Sequence, residues 1–391
     1  MEQLQQKTKN LKIIYFIYFF SLSIIVTYIN LYYKSIGLNG KQIGLINTMG
    51  PLVGIFSGTI WGMLNDHYGR VRFLLSTAAI GAAFFITGVP FVQTFVWLLP
   101  IIGLWSLFNS AIGPILDNLY FSFLGEHKER YGKQRIWGSI GAITSMWICG
   151  FIFQRFGYQM IFPLYVGVII VLIFAFTLLP NQSVRLTKPT FQGLTKIIRQ
   201  PTWIVFSSSI FLFWLAMGGM YAFLAIYLQS MGMKAGQIGI VAGLAPLAET
   251  LAMFFSGPLI KKLGPFWLLM IAFLMGAIRL FLYSIMPTPY WAFGIALFHI
   301  GTFGFFWIAS VTYANKLAPD NLKATGQGLL QGVMNIALVI GSPISGILYD
   351  RIGPSALFMT YSGVCLCSLM LFWVGTRLTV KMIPKLQTTL E

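Results

Sequence analysis

The chain has 391 residues, of which 57% are hydrophobic and only 9% charged, and its mean hydropathy is +0.78. Soluble domains carry about 25% charged residues, so this chain lacks the charge to cover a water-facing surface. Its net charge of +17 does not point to nucleic acid, because the basic residues stand singly between apolar runs and form neither a stripe nor an arm.

Twelve apolar runs, most of them near the roughly 20 residues a helix needs to cross a bilayer, predict an all-α polytopic membrane protein. A membrane barrel would alternate in segments of about 10 residues, and no such alternation occurs. Span 1 covers 11–33 and follows Lys7, Lys9 and Lys12. It is longer than a signal-peptide core and lacks an A-x-A site, so it is expected to remain as a span. It carries Asn30 with Tyr28, Tyr32 and Tyr33, which suit a cavity lining and an interfacial anchor equally. Span 2, 42–64, repeats glycine at Gly50, Gly54, Gly58 and Gly62, a stripe that predicts a groove for another backbone. Asp66, Gly69, Arg70 and Arg72 follow it. Span 3 is 73–90. Span 4, 95–123, holds Asn109, Asp117 and Asn118. Arg135 leads into span 5, 136–154, and span 6 is 160–179.

Segment 180–200 is the only long polar stretch. It reads as a cytoplasmic linker between an N-terminal six-helix half, 1–179, and a C-terminal six-helix half, 201–391. The second half repeats the layout with spans at 203–228, 237–260, 266–286, 290–314, 325–349 and 355–376. Gly218 and Gly219 in span 7 mark a bend or a close contact. Glu249 falls in span 8, Arg279 in span 9, His299 in span 10, and Gln331 and Asn335 in span 11. Cys149, Cys365 and Cys367 lie inside spans without metal-ligand spacing and read as small packing residues.

The loop charges test this count. With both termini and the even-to-odd loops placed in the cytoplasm, that side holds 20 of the 26 basic residues and the other side 5, with Arg279 inside a span. A wrong helix count would scramble this positive-inside split. The expected location is the plasma membrane, crossed many times, with both termini cytoplasmic.

A frame of glycine, any residue four on, and glycine seven on recurs at the ends of spans 2, 5, 8 and 11. It reads Gly62, Asp66, Gly69; then Gly150, Gln154, Gly157; then Gly257, Lys261, Gly264; then Gly346, Asp350, Gly353. The copies stand 88, 107 and 89 residues apart, the long middle interval being the linker. Four copies of a three-helix unit in two matching halves are the layout of a secondary transporter. The first glycine is expected to admit a neighbouring helix closely, and the second to end its helix at positive φ.

At "GMLNDHYGRVR" the chain resembles the loop between helices 2 and 3 of the major facilitator superfamily, with Gly62, Asp66, Gly69, Arg70 and Arg72 on the pattern and His67 where a basic residue is usual. The resemblance implies that this loop is a gate that latches the two halves on the cytoplasmic side. "GPILDNL", "YGKQRIWGSIG", "AETLAMFFSGPLI", "AIRLF" and "LFHIGTFGFFW" are similar to the branch that holds lactose permease, nucleoside–proton symporters and phenylpropionate permease. The spacing of 18 from Asp117 to Arg135, with Pro114 three before the acid, matches that branch's substrate-binding pair. The spacing of 20 from Arg279 to His299 matches its coupling pair, and Glu249 falls near its helix 8 glutamate. Two positions depart. Thr302 replaces a glutamate central to proton release, and Ala142 replaces a tryptophan that stacks on sugar. Galactoside specificity and the detailed proton circuit are therefore not implied.

The same residues stand out without the resemblance. A charge at the bilayer centre costs about 2.5–3.5 kcal/mol on insertion scales, so Asp117, Glu249 and Arg279 need a partner or a watery cavity. Asp117 and Arg135 are expected to clamp the substrate. Arg cannot release its proton, so Glu249, Asp117 or His299 must carry protons, with Glu249, Arg279 and His299 forming the coupling group. Asn30, Asn118, Gln331 and Asn335 suit substrate contact and interhelical hydrogen bonds equally. No Walker loop, nucleophile elbow or zinc spacing occurs, which predicts no catalysis, no metal and no cofactor beyond the proton gradient. The expected protein is a monomeric proton-coupled symporter in contact with membrane lipid, with no nucleic-acid partner. It would import a sugar, nucleoside or aromatic acid by alternating access. A proton-antiport exporter is the competing expectation. Exporters of this superfamily usually carry a Gly-Pro motif in span 5, where 136–154 has no proline. A non-transporting sensor or scaffold is a third, and it would not need the buried ionisable groups.

Overall fold

The computed structural model describes residues 2–92, 94–124, 131–179 and 194–382, and the side chains of residues 2–8, 66, 124, 131–135, 253–256 and 380–382 lie outside that description. Among the described residues every regular element is helical. The long helices are α1 (Glu2–Ser35), α2 (Gly40–Tyr68), α3 (Val71–Gly88), α4 (Phe95–Leu124), α5 (Tyr131–Phe156) and α6 (Ile161–Phe176). A short α7 (Leu194–Ile198) precedes α8 (Pro201–Ser230) and α9 (Ala235–Ile285). Then come α10 (Trp291–Ala296), a π-helical turn Ile300–Phe305, α11 (Phe306–Leu317) and α12 (Lys323–Met382).

Eleven described stretches are long and apolar enough to cross a membrane. The last, Asp320–Thr379, has 60 residues. At 1.5 Å per residue that is about 90 Å, three times the hydrocarbon thickness, so it must make two crossings. It divides at Gly353, with φ 78° and ψ 169°, as α9 divides at Gly264, with φ 76° and ψ 163°. The sequence count of twelve spans is thus reached, although spans 8 and 9, and 11 and 12, join through one glycine rather than a loop.

Positive φ occurs only at glycine among the described residues, at Gly37, Gly69, Gly157, Gly232, Gly264 and Gly353. The second glycine of the sequence frame therefore has the expected backbone in all four copies. Gly69 is a left-handed cap that returns its N–H to the Asn65 carbonyl at 2.8 Å. Gly157, Gly264 and Gly353 instead combine φ of 76–86° with ψ of 163–169°, a region open essentially to glycine alone. The six also form three pairs, 37 with 232, 69 with 264 and 157 with 353, separated by 195, 195 and 196 residues. Glycines of positive φ thus recur at matching positions of the two sequence halves, with nearly the same ψ at 157 and 353 and different ψ at 69 and 264. At the first pair the likeness extends to side chains, because Gln42 Oε1 accepts from the Asn39 N–H and Gln237 Oε1 accepts from the Lys234 N–H.

The first glycine of the frame behaves differently. At Gly150 a Cβ would press 2.6 Å from the Tyr28 hydroxyl and 2.8 Å from the Ala235 carbonyl, a close approach as expected. At Gly62 and Gly257, and at Gly58 in the stripe, no described atom lies within 4 Å of where a Cβ would stand. The predicted groove along span 2 is therefore unfilled there, because α2 packs on α4 through other residues, with Trp61 bonding the Leu107 carbonyl.

Two compact units divide the chain: Met1–Lys188 with Leu228–Pro246, and Pro189–Tyr227 with Leu247–Glu391. In the first, α1 packs on α5 and α6, and α3 on α4 and α6. Gly141 of α5 lies against the backbone of Phe16 in α1, where a Cβ would fall 3.0 Å from the carbonyl carbon. Leu228–Pro246 beds three glycines on this unit. Gly236 meets Phe151, Gly239 meets the Met146 carbonyl and Tyr28, and Gly243 meets Trp147. Tyr28, Tyr32 and Tyr33 are buried, and Tyr28 donates to the Met146 carbonyl. These tyrosines are packing groups of α1 rather than an open lining.

In the second unit an aromatic core of Phe206, Phe213, Phe273, Phe306, Tyr313 and Phe372 joins α8, α9, α11 and α12. Hydroxyls tie helices to foreign carbonyls, Ser368 to Ser209 and Ser362 to Ala277. Such bonds satisfy the hydroxyl where no water is available. Gly218 and Gly219 are close contacts and not a bend: Gly218 faces Leu338, and Gly219 faces Tyr361 and Ser345.

Candidate functional site

Each unit holds an expected ionisable group within a span, half-buried Asp117 in the first and buried Arg279 with His299 in the second. In the first, Asp117 stands on α4, half-buried, and its Oδ1 accepts from the Tyr15 hydroxyl of α1. Above it Trp105 donates to Tyr165 at 3.2 Å, and Tyr165 donates to Asn109 at 3.4 Å. Asn30 is buried and Asn118 half-buried. Arg135, the expected partner of Asp117, is the fifth residue of α5, but its side chain lies outside the described residues.

In the second unit Arg279 of α9 is 2% exposed and His299 is 5% exposed. Nη1 of Arg279 lies 3.1 Å from Nδ1 of His299 and donates to Thr302 Oγ1 at 2.9 Å. A guanidinium only donates, so Nδ1 of His299 must accept. The histidine in this arrangement is neutral, with its proton on Nε2. Tyr221 of α8 also hydrogen-bonds Arg279 and feels the charge of Glu249. Tyr283 lies under the guanidinium, 5.7 Å from its carbon.

The backbone explains how Thr302 reaches this group. Ile300–Phe305 is a π-helical turn, which inserts one residue and changes which side chains face inward. Two glycines allow it to pack tightly. Gly301 lies against the Met275 sulfur, and Gly304 lies against Ala252 with Glu249 Cα 3.9 Å from its Cβ position. The position that resemblance left without an acid is therefore filled by a hydroxyl that bonds the buried arginine. The sequence signal for the turn was the pair of glycines around Thr302 in "IGTFGF". Tyr15 and Tyr221 carried no such signal, since an isolated tyrosine in a span looks like any other.

Other expected residues are spread out. Glu249 is half-buried on α9. On α12, Gln331 is exposed and Asn335 half-buried, and among the described residues no hydrogen bond reaches either. In the expected gate, Gly69 caps α2, Arg70 is exposed, and Arg72 Nε donates to the Leu179 carbonyl just beyond α6. That bond gives Arg72 a structural task, because a cation suits the unpaired carbonyls at a helix end. The side chain of Asp66 lies outside the described residues. Among the described residues no group of three metal-ligating side chains gathers.

Twelve apolar spans that carry ionisable groups in each of two units define a multi-pass membrane protein of the secondary-transporter class. The chain belongs to the MFS_1 like family, whose model matches residues 8–360. It is 24% identical over 343 residues to the uncharacterized transporter YwbF of Bacillus subtilis strain 168, covering 85% of this chain and 84% of that one. It is 26% identical over 355 residues to the probable 3-phenylpropionic acid transporter of Escherichia coli strain K12, covering 89% and 93%. Its fold matches a crystal structure of nucleoside transporter NupG with a TM-score of 0.86 at 16% identity, over 94% of this chain and 99% of that one. The major facilitator fold is thereby established, and the relatives are transporters rather than enzymes.

Proposed function

We propose that the chain is a proton-coupled importer of a small polar organic solute, a sugar, nucleoside or aromatic acid, working by alternating access. The two six-helix halves rock, and the proton gradient supplies the energy with no other cofactor. The protein acts as a monomer in the plasma membrane with both termini cytoplasmic, as the 20-to-5 split of basic residues supports. The carrying observation is the buried Arg279–His299–Thr302 group within membrane spans. A charge is retained there only if a task requires it. Relatives described as carriers of phenylpropionate and of nucleosides favour organic solutes.

Asp117 and Arg135 clamp the solute in the first half, with Asn118 beside Asp117 on α4, Asn30 further along α1, and Gln331 and Asn335 contributing from the second. Glu249 is the first choice for the travelling proton, because Arg279 cannot release one and His299 is committed as an acceptor. Burial favours the neutral acid and opening to water favours the anion, so alternating exposure loads and unloads Glu249. Gly62, Asp66, Gly69, Arg70 and Arg72 form the cytoplasmic gate. An antiporting exporter would use the same parts, and the proline-free span 5 favours uptake over it. Purified protein in liposomes with an imposed pH gradient tests the reading. Inward solute flux that follows the gradient supports it, whereas outward flux favours the exporter.

A further inference from the structure

Helix α9 changes its allegiance in the middle of a membrane span. The first unit holds it up to Pro246, and the second holds it from Leu247. Up to the proline, α9 is seated on α5. The Gly236 N–H donates to Gln154 Oε1 at 3.2 Å, Gly239 lies against the Met146 carbonyl, and Gly243 lies against the Trp147 ring. On that same face, one and two turns beyond Gly243, Leu247 and Leu251 are 39% and 48% exposed. The buried residues there are Ala248 and Ala252, on another face. Ala252 meets Gly304 of the π-helical turn, and Glu249 Cα is 3.9 Å from where a Cβ of Gly304 would stand.

The residue at this crossing weakens the helix. A proline has no N–H, so the Ala242 carbonyl four residues back receives no helical bond from it, and the ring crowds that carbonyl. Sharp bends in helices gather at such positions. Pro51 in α2, Pro100 and Pro114 in α4 and Pro343 in α12 also stand inside helices, but each has a single unit on both sides of it. At Pro246 a weakened turn and a change of bed coincide.

Glu249 belongs to the turn that straddles this point. In an α-helix its N–H bonds the carbonyl four residues back, that of Ala245, on the other side of the proline. It stands three residues past Pro246, about 4.5 Å along the axis. A bend of about 20° at the proline shifts it by about 1.5 Å. That is enough to carry a group out of hydrogen-bond range, which ends near 3.2 Å. Tyr221, which bonds Arg279 and feels the Glu249 charge, is carried by α8 and does not ride on this turn.

Resting on the reading of Glu249 as the proton carrier, we propose that Pro246 is a positioning residue for that acid. When the two units move, α9 bends over Ala242–Pro246, and the bend carries Glu249 towards Tyr221 and Arg279 or away from them. The acid is held in the polar group in one state and opened to water in the other. Proton loading is thereby tied to the movement that exposes the solute site.

The test compares Pro246→Ala with Pro246→Gly in the full-length protein. Both supply an N–H for the Ala242 carbonyl, but alanine stiffens the turn and glycine leaves it soft. Melting temperature and deuterium exchange of the amides of 247–250 are read in detergent. Uptake of 3-phenylpropionate, uridine and maltose under a pH gradient is read in liposomes. Pro246→Ala is expected to melt above Pro246→Gly and to exchange severalfold more slowly than the parent at 247–250. Its kcat is expected to fall about tenfold, as a stiffened hinge limits turnover. Pro246→Gly should keep most of the parent kcat. A hinge thus ranks the two variants in opposite orders for stability and for rate, whereas a proline that serves packing alone ranks them alike. Parental kcat in Pro246→Ala, unaltered exchange, or a rate order that follows the melting order overturns the hinge and leaves the carrier reading intact. The expected exchange pattern, with none of the three solutes moved by the parent under a gradient of either sign, overturns the carrier reading and leaves the bend at Pro246 in place.

Discussion

The Tyr15 hydroxyl donates to Oδ1 of Asp117, joining α1 to α4 across 102 residues of sequence. A hydrogen bond to a charged group contributes about 1.5–3 kcal/mol, so it holds this carboxylate in one orientation within a membrane span. Asp117→Asn keeps an acceptor at Oδ1 and removes only the charge. It is expected to abolish uptake while membrane insertion and melting temperature are retained. Tyr15→Phe should lower uptake roughly tenfold, the equivalent of one such bond. Unchanged transport by Asp117→Asn would remove the residue from the site.

Glycines in this chain divide into packed and open ones, which predicts opposite responses to alanine. At Gly141 a Cβ would meet the Phe16 backbone, which cannot rotate away. Gly141→Ala should lower stability by about 1–3 kcal/mol through overpacking, read as a fall in melting temperature in detergent. At Gly58 no described atom is within 4 Å. Gly58→Ala should leave the melting temperature unchanged or slightly higher, since alanine favours a helix by about 0.5–1 kcal/mol. Uptake by Gly58→Ala should nevertheless fall if another state of the cycle fills the stripe, and stability and flux measured together separate the two effects.

Thr302 is the acceptor that stands in place of an acid beside Arg279. Thr302→Val removes that acceptor with little change of shape. It should destabilise the protein by about 1–3 kcal/mol, the cost of leaving a buried donor unmade. Thr302→Ser keeps the hydroxyl and should restore most of the loss. Thermal melts of the two variants against the parent decide whether the bond at 2.9 Å matters.

Glu249→Gln removes the proposed proton carrier and keeps its hydrogen-bonding shape. Uptake driven by a pH gradient should stop, whereas exchange of labelled for unlabelled solute across liposomes should persist. Proton flux that continues unaltered in Glu249→Gln would exclude the carrier role.

The gate residue Asp66 is placed by motif. Asp66→Asn is expected to slow turnover and leave the order of preference among solutes unchanged. A reordered preference, measured by competition, would contradict a gating role.

Much of this was legible in the chain because the relevant signals are local. A span is a run of about 20 apolar residues, and a glycine that must take positive φ marks itself by composition. The frame glycines Gly69, Gly157, Gly264 and Gly353 all do so. The pair Arg279 and His299 could be singled out because an isolated ionisable residue in an apolar run is costly. Their direct contact, at 3.1 Å, is a matter of how α9 and the helix of His299 face one another. The stripe on α2 shows the limit of such reading. Gly58 and Gly62 have the spacing of a packing face, yet spacing does not say whether a neighbour is there.

By itself the sequence determined the twelve spans, their repeated turns and the few charged groups inside them. Periodicity, length and the cost of charge in hydrocarbon act on a segment without reference to distant ones. The tertiary structure alone decided the partners: Tyr15 for Asp117, Thr302 for Arg279 by way of a π turn, and a bed on α1 and α5 for the glycines of Leu228–Pro246. Each of these joins residues far apart in the chain through the meeting of two helix faces. A helix face does not specify its complement, because many faces of small and apolar residues fit one another equally well until the whole bundle is packed.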